Sequence, residues 1–373
     1  MSKQIISATR VALLGCGRIA QRFHLPVLTS LQGVELSAVA ELEIDARDAA
    51  RSFAPRTSLF SDYQSLLASS QLDAAVICLP PALHADAALA CFEQGLHVYL
   101  EKPLATTSED GERVVAAWKR AGTTGVVGFN CRFHPLVTEL RTTIRSEILG
   151  ELVGAQATFS SSPRALPKWK RCRDSGGGAL LDLASHQFDL ARFVFEREFT
   201  EVNAFLRSVS SEDDTAVVEA RLSDGALITF FLSLVAIEED RMEVVGSRGK
   251  IVFDRYRSSR LNFIPSARDF SKNARAKAAM RAIAAAPRAL RDLVFPPREQ
   301  SFTAALGAFI AAIRGADSVA ADLNDGLKSL KLVAAAEEAA RRGETVVLAR
   351  GDSTVLPISP ASSLGRQAVR SRT

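Results

Sequence analysis

Three ionisable side chains follow one another at helical spacing in SGGGALLDLASHQFDL, residues 175–190. Asp182, His186 and Asp189 fall at i, i+4 and i+7, so on a helix they lie within roughly 60° of one another. An alcohol that is oxidised must lose a proton, and histidine, with a pKa of about 6.5, is the natural acceptor at neutral pH. We therefore predict that His186 is a general base, that Asp182 orients it or binds a substrate hydroxyl, and that Asp189 contacts substrate. The alternative is a partly buried histidine satisfied by the carboxylate at i−4.

A lysine in HVYLEKPLA is the second candidate for chemistry. Proline cannot continue a central strand, so Glu101, Lys102 and Pro103 mark a turn at the end of the preceding strand. In sheets of parallel strands, ligands bind at the carboxyl edge, where this lysine would lie. Its ammonium can hydrogen-bond the substrate oxygen on which charge develops during hydride transfer. An ordinary surface lysine beside a turn is the alternative.

A glycine turn in VALLGCGRIA predicts a dinucleotide site. Gly15, Gly17 and Ala20 form G-x-G-x-x-A between an apolar strand and a helix, so a pyrophosphate can approach backbone N–H groups. Glu41 ends the next strand, where a carboxylate binds ribose hydroxyls and repels a 2′-phosphate. This pattern favours NAD over NADP, against the alternative of a helix-capping turn with a surface glutamate. The predicted cofactor contacts are Gly15, Gly17, Arg18, Ile19, Glu41, Pro80, His84, Glu101 and Lys102.

The order of apolar patterns predicts two domains. Short strands alternate with helices over 1–130, which predicts a doubly wound parallel sheet, an NAD(P)-binding Rossmann domain. Strands joined by short turns such as SDG and GSRG then predict an α+β domain over 131–350, with an open, mainly antiparallel sheet for substrate binding and oligomerisation. Within it, 265–300 is basic and helical, and 351–373 is expected to be a disordered tail.

Composition narrows the function class. The 373 residues carry a formal net charge of +4, too small for a nucleic-acid-binding chain as a whole. The five cysteines have no C-x-x-C pair and no metal-ligand spacing, which favours reduced thiols in the cytoplasm and no metal site. No secretory leader precedes the first strand and no apolar run reaches the length of a membrane span. We expect a cytoplasmic protein with a small-molecule substrate.

Four segments carry a resemblance to a known family. GCGRIAQRFH, AVICLPPALHADAALACFEQGLHVYLEKPLA, GFNCRFHP and SGGGALLDLASHQFDL, in this order, resemble the glucose-fructose oxidoreductase, inositol dehydrogenase and rhizopine-catabolism (Gfo/Idh/MocA) family. The resemblance implies that Lys102, Asp182 and His186 meet at the hydroxyl being oxidised and that Trp169 offers its ring to a sugar. It also implies a homodimer or homotetramer formed through the open face of the second sheet.

Other polar residues leave more than one interpretation open. Asn130 and Arg132, after the last strand of the first domain, line the cleft or brace the domain junction. The predicted substrate contacts are Lys102, Arg132, Trp169, Asp182, His186 and Asp189. The segment from Lys250 to Glu299 holds twelve basic and four acidic residues. It is a solvated face, an anion site for nucleotide-sugar phosphates, or a contact with an acidic membrane surface.

We predict an NAD-dependent oxidoreductase that transfers a hydride between nicotinamide and a secondary alcohol of a sugar, an inositol or other polyol, or a nucleotide-sugar. Two alternatives remain. The same site could oxidise a sugar transiently so that a substituent is eliminated, as in an NAD-dependent lyase or glycosidase. The chain could also be a non-catalytic dinucleotide-binding sensor, although a sensor has no need of Lys102, Asp182 and His186 together.

Overall fold

A six-stranded parallel sheet forms the first part of the molecule. The computed structural model describes residues 8–266 and 300–348, and the backbone of 355–356. The strand order is β3-β2-β1-β4-β5-β6, which confirms the predicted doubly wound sheet and puts its topological switch between β1 and β4. The strands are β1 (Thr9–Leu14), β2 (Val34–Ala40), β3 (Ser58–Phe60), β4 (Ala74–Ile77), β5 (His97–Leu100) and β6 (Gly125–Val127).

Capping interactions mark the ends of helices between these strands. In α5, the Thr107 side chain accepts a hydrogen bond from the backbone of Asp110, and Gly122 ends the helix with a φ of 65° that glycine adopts without strain. Its apolar face packs on the sheet through Val114 and Val115. The helices are α1 (Leu25–Ser30), α2 (Ile44–Phe53), α3 (Tyr63–Ser69), α4 (His84–Glu93) and α5 (Ser108–Ala121).

A nine-stranded mixed sheet forms the second part. Its order is β13-β12-β11-β7-β10-β9-β8-β14-β15, and only β7 and β10 are parallel neighbours, so the predicted open, mainly antiparallel sheet is confirmed. In β9, buried residues alternate with exposed ones, as expected for a sheet with one covered face. The strands are β7 (Leu152–Ser160), β8 (Phe199–Arg207), β9 (Thr215–Leu222), β10 (Leu227–Ser233), β11 (Glu239–Gly246), β12 (Gly249–Asp254), β13 (Asn262–Pro265), β14 (Val346–Leu348) and β15 (Val355–Leu356).

Four longer helices complete the described chain: α6 (Pro135–Arg145), α7 (Ser185–Phe195), α8 (Ser301–Ile313) and α9 (Leu323–Arg342). Helix α8 packs on the first sheet, because Leu306 and Phe309 share an apolar cluster with Val11 and Leu13 of β1. The chain therefore returns to the first domain after building most of the second sheet. The proposed division at residue 130 stays a prediction.

Two predicted segments fall largely outside the described residues. The basic helices expected over 265–300 are described only at 265, 266 and 300, and the expected tail 351–373 only at the backbone of β15. The three interpretations of the basic segment therefore remain open.

Candidate active site

Lys102 and Asp182, eighty positions apart in the chain, form an ion pair at the carboxyl edge of the first sheet. Lys102 follows β5, and its peptide bond to Pro103 is cis. The Lys102 Nζ donates to Asp182 Oδ1 at 2.8 Å and to the Asp182 carbonyl oxygen at 2.9 Å. Both side chains are mostly buried, with exposed fractions of 18% and 9%. Two of the predicted catalytic residues are thus in direct contact.

A second ammonium occupies the other oxygen of the same carboxylate. The Lys170 Nζ lies 2.5 Å from Asp182 Oδ2, and its side chain is 15% exposed. Lys170 belongs to a helical turn, Lys168–Arg171, that precedes the helix carrying Asp182. The sequence placed Lys170 among the basic residues around Trp169 that suit a carboxylate or a phosphate, but it did not predict the contact with Asp182. The signal that could have found it was its place in a basic loop beside Trp169, which is itself half-buried.

The charges of this cluster set the protonation of Asp182. Burial alone would raise the pKa of the Asp182 carboxyl, but the ammonium groups of Lys102 and Lys170 outweigh it and hold that pKa well below its usual range. Burial also lowers the pKa of Lys170, an effect that Asp182 opposes. The carboxylate is therefore ionised throughout the physiological pH range.

The helix that carries Asp182 begins with a π-helical turn, which the sequence pattern did not predict. Leu180–Ala184 bond at i→i+5 before α7 continues in the α form. The glycines before the turn make a close approach possible, because a Cβ on Gly176 would lie 2.7 Å from the Cβ of Pro81. The widened turn changes the angle per residue, and Asp182 and Asp189 pair with different cations, Lys102 and Arg132.

His186 lies in an apolar pocket rather than against Asp182. Its Nδ1 is 3.8 Å from the Cys131 sulfur, and its ring packs edge-on against Phe129 at 5.7 Å and Phe159 at 6.3 Å between centroids. Burial, together with the charges of Lys102 and Arg255, lowers the pKa of His186 well below 6.5. The imidazole is therefore neutral at pH 7, the form that accepts a proton. No described hydrogen bond links it to Asp182, so the expected ring-orienting role is not supported.

Arg132 and Asp189 are paired with each other instead of facing an open cleft. Arg132 Nε and Nη2 lie 2.8 and 2.5 Å from the two Asp189 oxygens, and Nη2 is also 2.9 Å from Asp325 of α9. Arg132 and Asp189 are buried, and Asn130 donates to Ser301 at 2.7 Å. These contacts join the end of the first domain to α7, α8 and α9, which favours the bracing interpretation over substrate contact.

The glycine turn has the shape that a dinucleotide requires. Gly15 has a φ of 89°, and a Cβ there would be 2.7 Å from the Cys78 carbonyl oxygen, whereas the Cβ position of Gly17 has no atom within 4 Å. Glu41 lies beside this turn, since its Oε2 accepts from the Cys16 backbone at 2.6 Å. A helix begins directly after Gly17 and presents its first N–H groups here, with Arg18 and Ile19 exposed. These residues fit a pyrophosphate on the turn and a ribose at Glu41.

Two of the predicted cofactor contacts, Glu101 and His84, support the corner that holds Lys102. Glu101 is bonded to His24 at 2.6 Å and accepts from the Lys102 backbone N–H at 3.2 Å. The buried His84 ring lies 2.7 Å from the Pro103 carbonyl oxygen and 2.8 Å from that of Leu79. The buried positions of Glu101 and His84 indicate a structural role. Pro80 is half-buried, at the start of the helical turn that Gly176 approaches.

The described part of the chain holds neither a candidate metal site nor a candidate membrane span. No cluster of histidine, cysteine or acidic side chains there could hold a metal ion. No described helix is long and apolar enough to cross a membrane.

Comparison with known proteins places this geometry in a family. Residues 9–129 match the model of an oxidoreductase family with an NAD-binding Rossmann fold, and residues 137–252 match the GFO/IDH/MocA C-terminal domain. The chain is 30% identical over 252 residues to a dTDP-3,4-didehydro-2,6-dideoxy-alpha-D-glucose 3-reductase of Saccharopolyspora spinosa, 66% of this chain and 74% of that protein. It is 29% identical over 259 residues to a myo-inositol 2-dehydrogenase of Thermotoga maritima, 67% of this chain and 76% of that one.

A solved structure shares the whole fold. The WlbA dehydrogenase of Bordetella pertussis, in complex with NADH and UDP-GlcNAcA, superposes with a TM-score of 0.77 at 23% identity over 95% of this chain and 99% of that one. The parallel sheet, the glycine turn and both family matches agree with the resemblance found in the sequence. The chain belongs to the Gfo/Idh/MocA family of NAD-binding oxidoreductases.

Proposed function

We propose that this oxidoreductase transfers a hydride between NAD and a secondary alcohol of a sugar, a polyol or a nucleotide-sugar. The observation that carries the proposal is the contact between Lys102 and Asp182, with His186 close enough for the Lys102 charge to lower its pKa. The relatives named above are a nucleotide-sugar reductase and an inositol dehydrogenase, which supports this substrate range. When bound, the nicotinamide supplies or accepts the hydride.

The chain's own residues handle the hydroxyl. In the oxidation direction, the carbinol carbon loses a hydride while its hydroxyl proton passes to neutral His186, and the C–O bond becomes a carbonyl. Lys102 donates a hydrogen bond to the substrate oxygen and stabilises the negative charge that develops there. Asp182 holds the Lys102 ammonium in place before substrate binds. Reduction runs through the same groups in reverse, with His186 returning the proton.

Glu41 favours NAD over NADP. Its carboxylate lies at the end of β2 beside the glycine turn, where the adenosine ribose would bind. A 2′-phosphate there would meet a fixed negative charge, whereas the two ribose hydroxyls can donate to it. The nearby Arg47 donates to the backbone carbonyls of Glu41 and Leu42.

We further propose a cytoplasmic homodimer or homotetramer assembled through the open sheet face. Phe205, Val217 and Phe231 pair across β8, β9 and β10, and their exposed fractions are 61%, 37% and 41%. An apolar row of this kind on an antiparallel sheet is typical of an interface. None of the five cysteines, all of which lie in the described residues, forms a disulfide, as suits a reducing compartment.

Replacing Lys102 tests the proposed role most directly. Lys102→Met should lower kcat about 10²- to 10⁴-fold, because the developing oxyanion loses its charged donor, while NADH binding is retained. Turnover is followed by NADH absorbance with sugars, inositols and UDP-sugars, and cofactor binding by NADH fluorescence. Lys119→Met, at an exposed position of α5, is the control.

Three results would contradict the proposal in different ways. Unchanged turnover in Lys102→Met would remove the lysine from the mechanism. Release of a free sugar or substituent without net NADH formation would favour the elimination alternative. Tight NADH binding with no turnover of any carbohydrate would favour the sensor.

A further inference from the structure

The cluster formed by Lys102, Lys170 and Asp182 holds two ammonium groups and only one carboxylate. Lys102 and Lys170 each contact one oxygen of this single carboxylate, at 2.8 and 2.5 Å. His186 adds no negative charge, since it is neutral at pH 7. The nearby guanidinium of Arg255 is already matched by Asp240, to which it is bonded. Among the described residues, Asp182 is thus the only anion in contact with both ammonium groups.

This surplus is unusual because both lysines are largely withdrawn from water. Exposed fractions of 18% for Lys102 and 15% for Lys170 leave little hydration to compensate for the missing counter-charge. Arg164 adds to the positive potential, since its charge acts on Lys170 in the same direction as burial. Burying an unmatched charge is costly, so a site of this kind fits a ligand that brings the missing anion.

We propose that the substrate carries a carboxylate on its sugar ring, which binds Lys170 while Lys102 engages the reacting hydroxyl. This inference rests on the proposed function and names its substrate class. The two ammonium nitrogens contact the two oxygens of one carboxylate, at 2.8 and 2.5 Å, so a single sugar residue can reach both. The anion that Lys170 binds therefore belongs to the sugar that is oxidised, and not to the more distant phosphates of a nucleotide.

The partners of Lys170 support a role beyond holding Asp182. Lys102 uses two acceptors of Asp182, the carbonyl and Oδ1, whereas Lys170 has one described acceptor, Oδ2, for its three N–H groups. Trp169, next in the chain, is half-buried and can cover a sugar ring. Lys170 can therefore donate to a substrate carboxylate without releasing Asp182.

The test compares each neutral sugar with its uronate: glucose with glucuronate, galactose with galacturonate, and a UDP-sugar with its uronate counterpart. Lys170→Gln should weaken uronate binding about 10- to 100-fold, as expected for loss of a charge-assisted hydrogen bond. Binding of the neutral sugars should change less than about threefold. Lys168→Gln, two residues away and exposed, removes the same charge from the same turn and should change neither.

Binding and turnover are measured separately, by calorimetry on the NADH-loaded protein and by NADH absorbance. The inference is overturned if wild-type protein binds neutral sugars as tightly as uronates, or if Lys170→Gln weakens both equally, which indicates positioning only. It is also overturned if only UDP-sugars, neutral or acidic, respond to Lys170→Gln, because the contact is then to phosphate. If uronates bind through Lys170 but are not turned over, the proposed function is wrong, whereas the carboxylate site is supported.

Discussion

Asp182 and Asp189 lie seven residues apart in one continuous helical segment, yet they belong to different kinds of ionic cluster. Asp182 contacts two lysine ammonium groups, each partly exposed. Asp189 contacts the guanidinium of Arg132 through both of its oxygens and is 1% exposed. In the proposed function the first cluster is the one that meets the substrate. The second is closed by Asp325, which also contacts Arg132.

The two partner types explain the difference. A guanidinium matches a carboxylate with two parallel hydrogen bonds and stays charged, so it suits a permanent brace between elements. A lysine ammonium is a compact charge on a flexible stem, which can move from a carboxylate to a substrate oxygen. Burial raises the pKa of Asp189 even with Arg132 beside it, whereas the two ammonium groups overcome burial and lower the pKa of Asp182. We therefore expect Asp189 to support the fold and Asp182 to support catalysis.

Removing the Arg132–Asp189 ion pair should give the largest effect, a loss of stability. Asp189→Asn leaves the buried Arg132 with only Asp325 as a charged partner, so we expect the free energy of unfolding to fall by about 3 kcal/mol. Urea denaturation followed by circular dichroism measures this loss. Turnover of the protein that remains folded should change little.

Asp182→Asn is the matched control for this comparison. It should lower turnover about 100-fold, since Lys102 loses its anchor, whereas Asp189→Asn should leave turnover nearly unchanged. If the two substitutions had the same profile, or if their effects were exchanged, the division between brace and site would be wrong.

The pH dependence of kcat/KM tests the role of His186 in the candidate active site. In the proposed mechanism neutral His186 is the base, and burial with the charges of Lys102 and Arg255 lowers its pKa below 6.5. The imidazole therefore stays neutral as the pH falls through 6.5, and activity should be lost only at a lower pH. Lys170→Gln removes one further cation and should move this acid limb toward 6.5, while Lys168→Gln leaves it in place. An acid limb above 6.5 would exclude His186 as the base.

The smallest expected effect is at Glu41, in the candidate cofactor site. Glu41→Ala should weaken NAD binding about tenfold, equivalent to about 1.4 kcal/mol, because the ribose hydroxyls lose their acceptor. Affinity for NADP should rise or stay the same, because the carboxylate that repels the 2′-phosphate is gone. Fluorescence titrations with NADH and NADPH measure both. Equal weakening of the two cofactors would mean that Glu41 supports the glycine turn and does not select the cofactor.

Local patterns predicted much of the site because they report on the nearest few residues. The G-x-G-x-x-A turn placed Gly15 and Gly17 correctly beside Glu41, and the proline after Lys102 placed that lysine at the end of β5. The same patterns could not reveal the π-helical turn at Leu180–Ala184, since they rest on the regular spacing of an α-helix. The assumption of a regular helix then placed Asp182 and Asp189 on one stripe.

What the amino-acid sequence determined by itself was the order of strands and helices, the parallel and antiparallel classes of the two sheets, the glycine turn and the family. These follow from apolar periodicity and from the backbone preferences of glycine and proline, which act over a few positions. Only the tertiary structure decided that Lys170 shares Asp182 with Lys102, that Arg132 takes Asp189, and that Glu101 takes His24. A charged group pairs with whichever opposite charge the packing brings within reach, and these partners are 12 to 80 positions apart, beyond any local pattern.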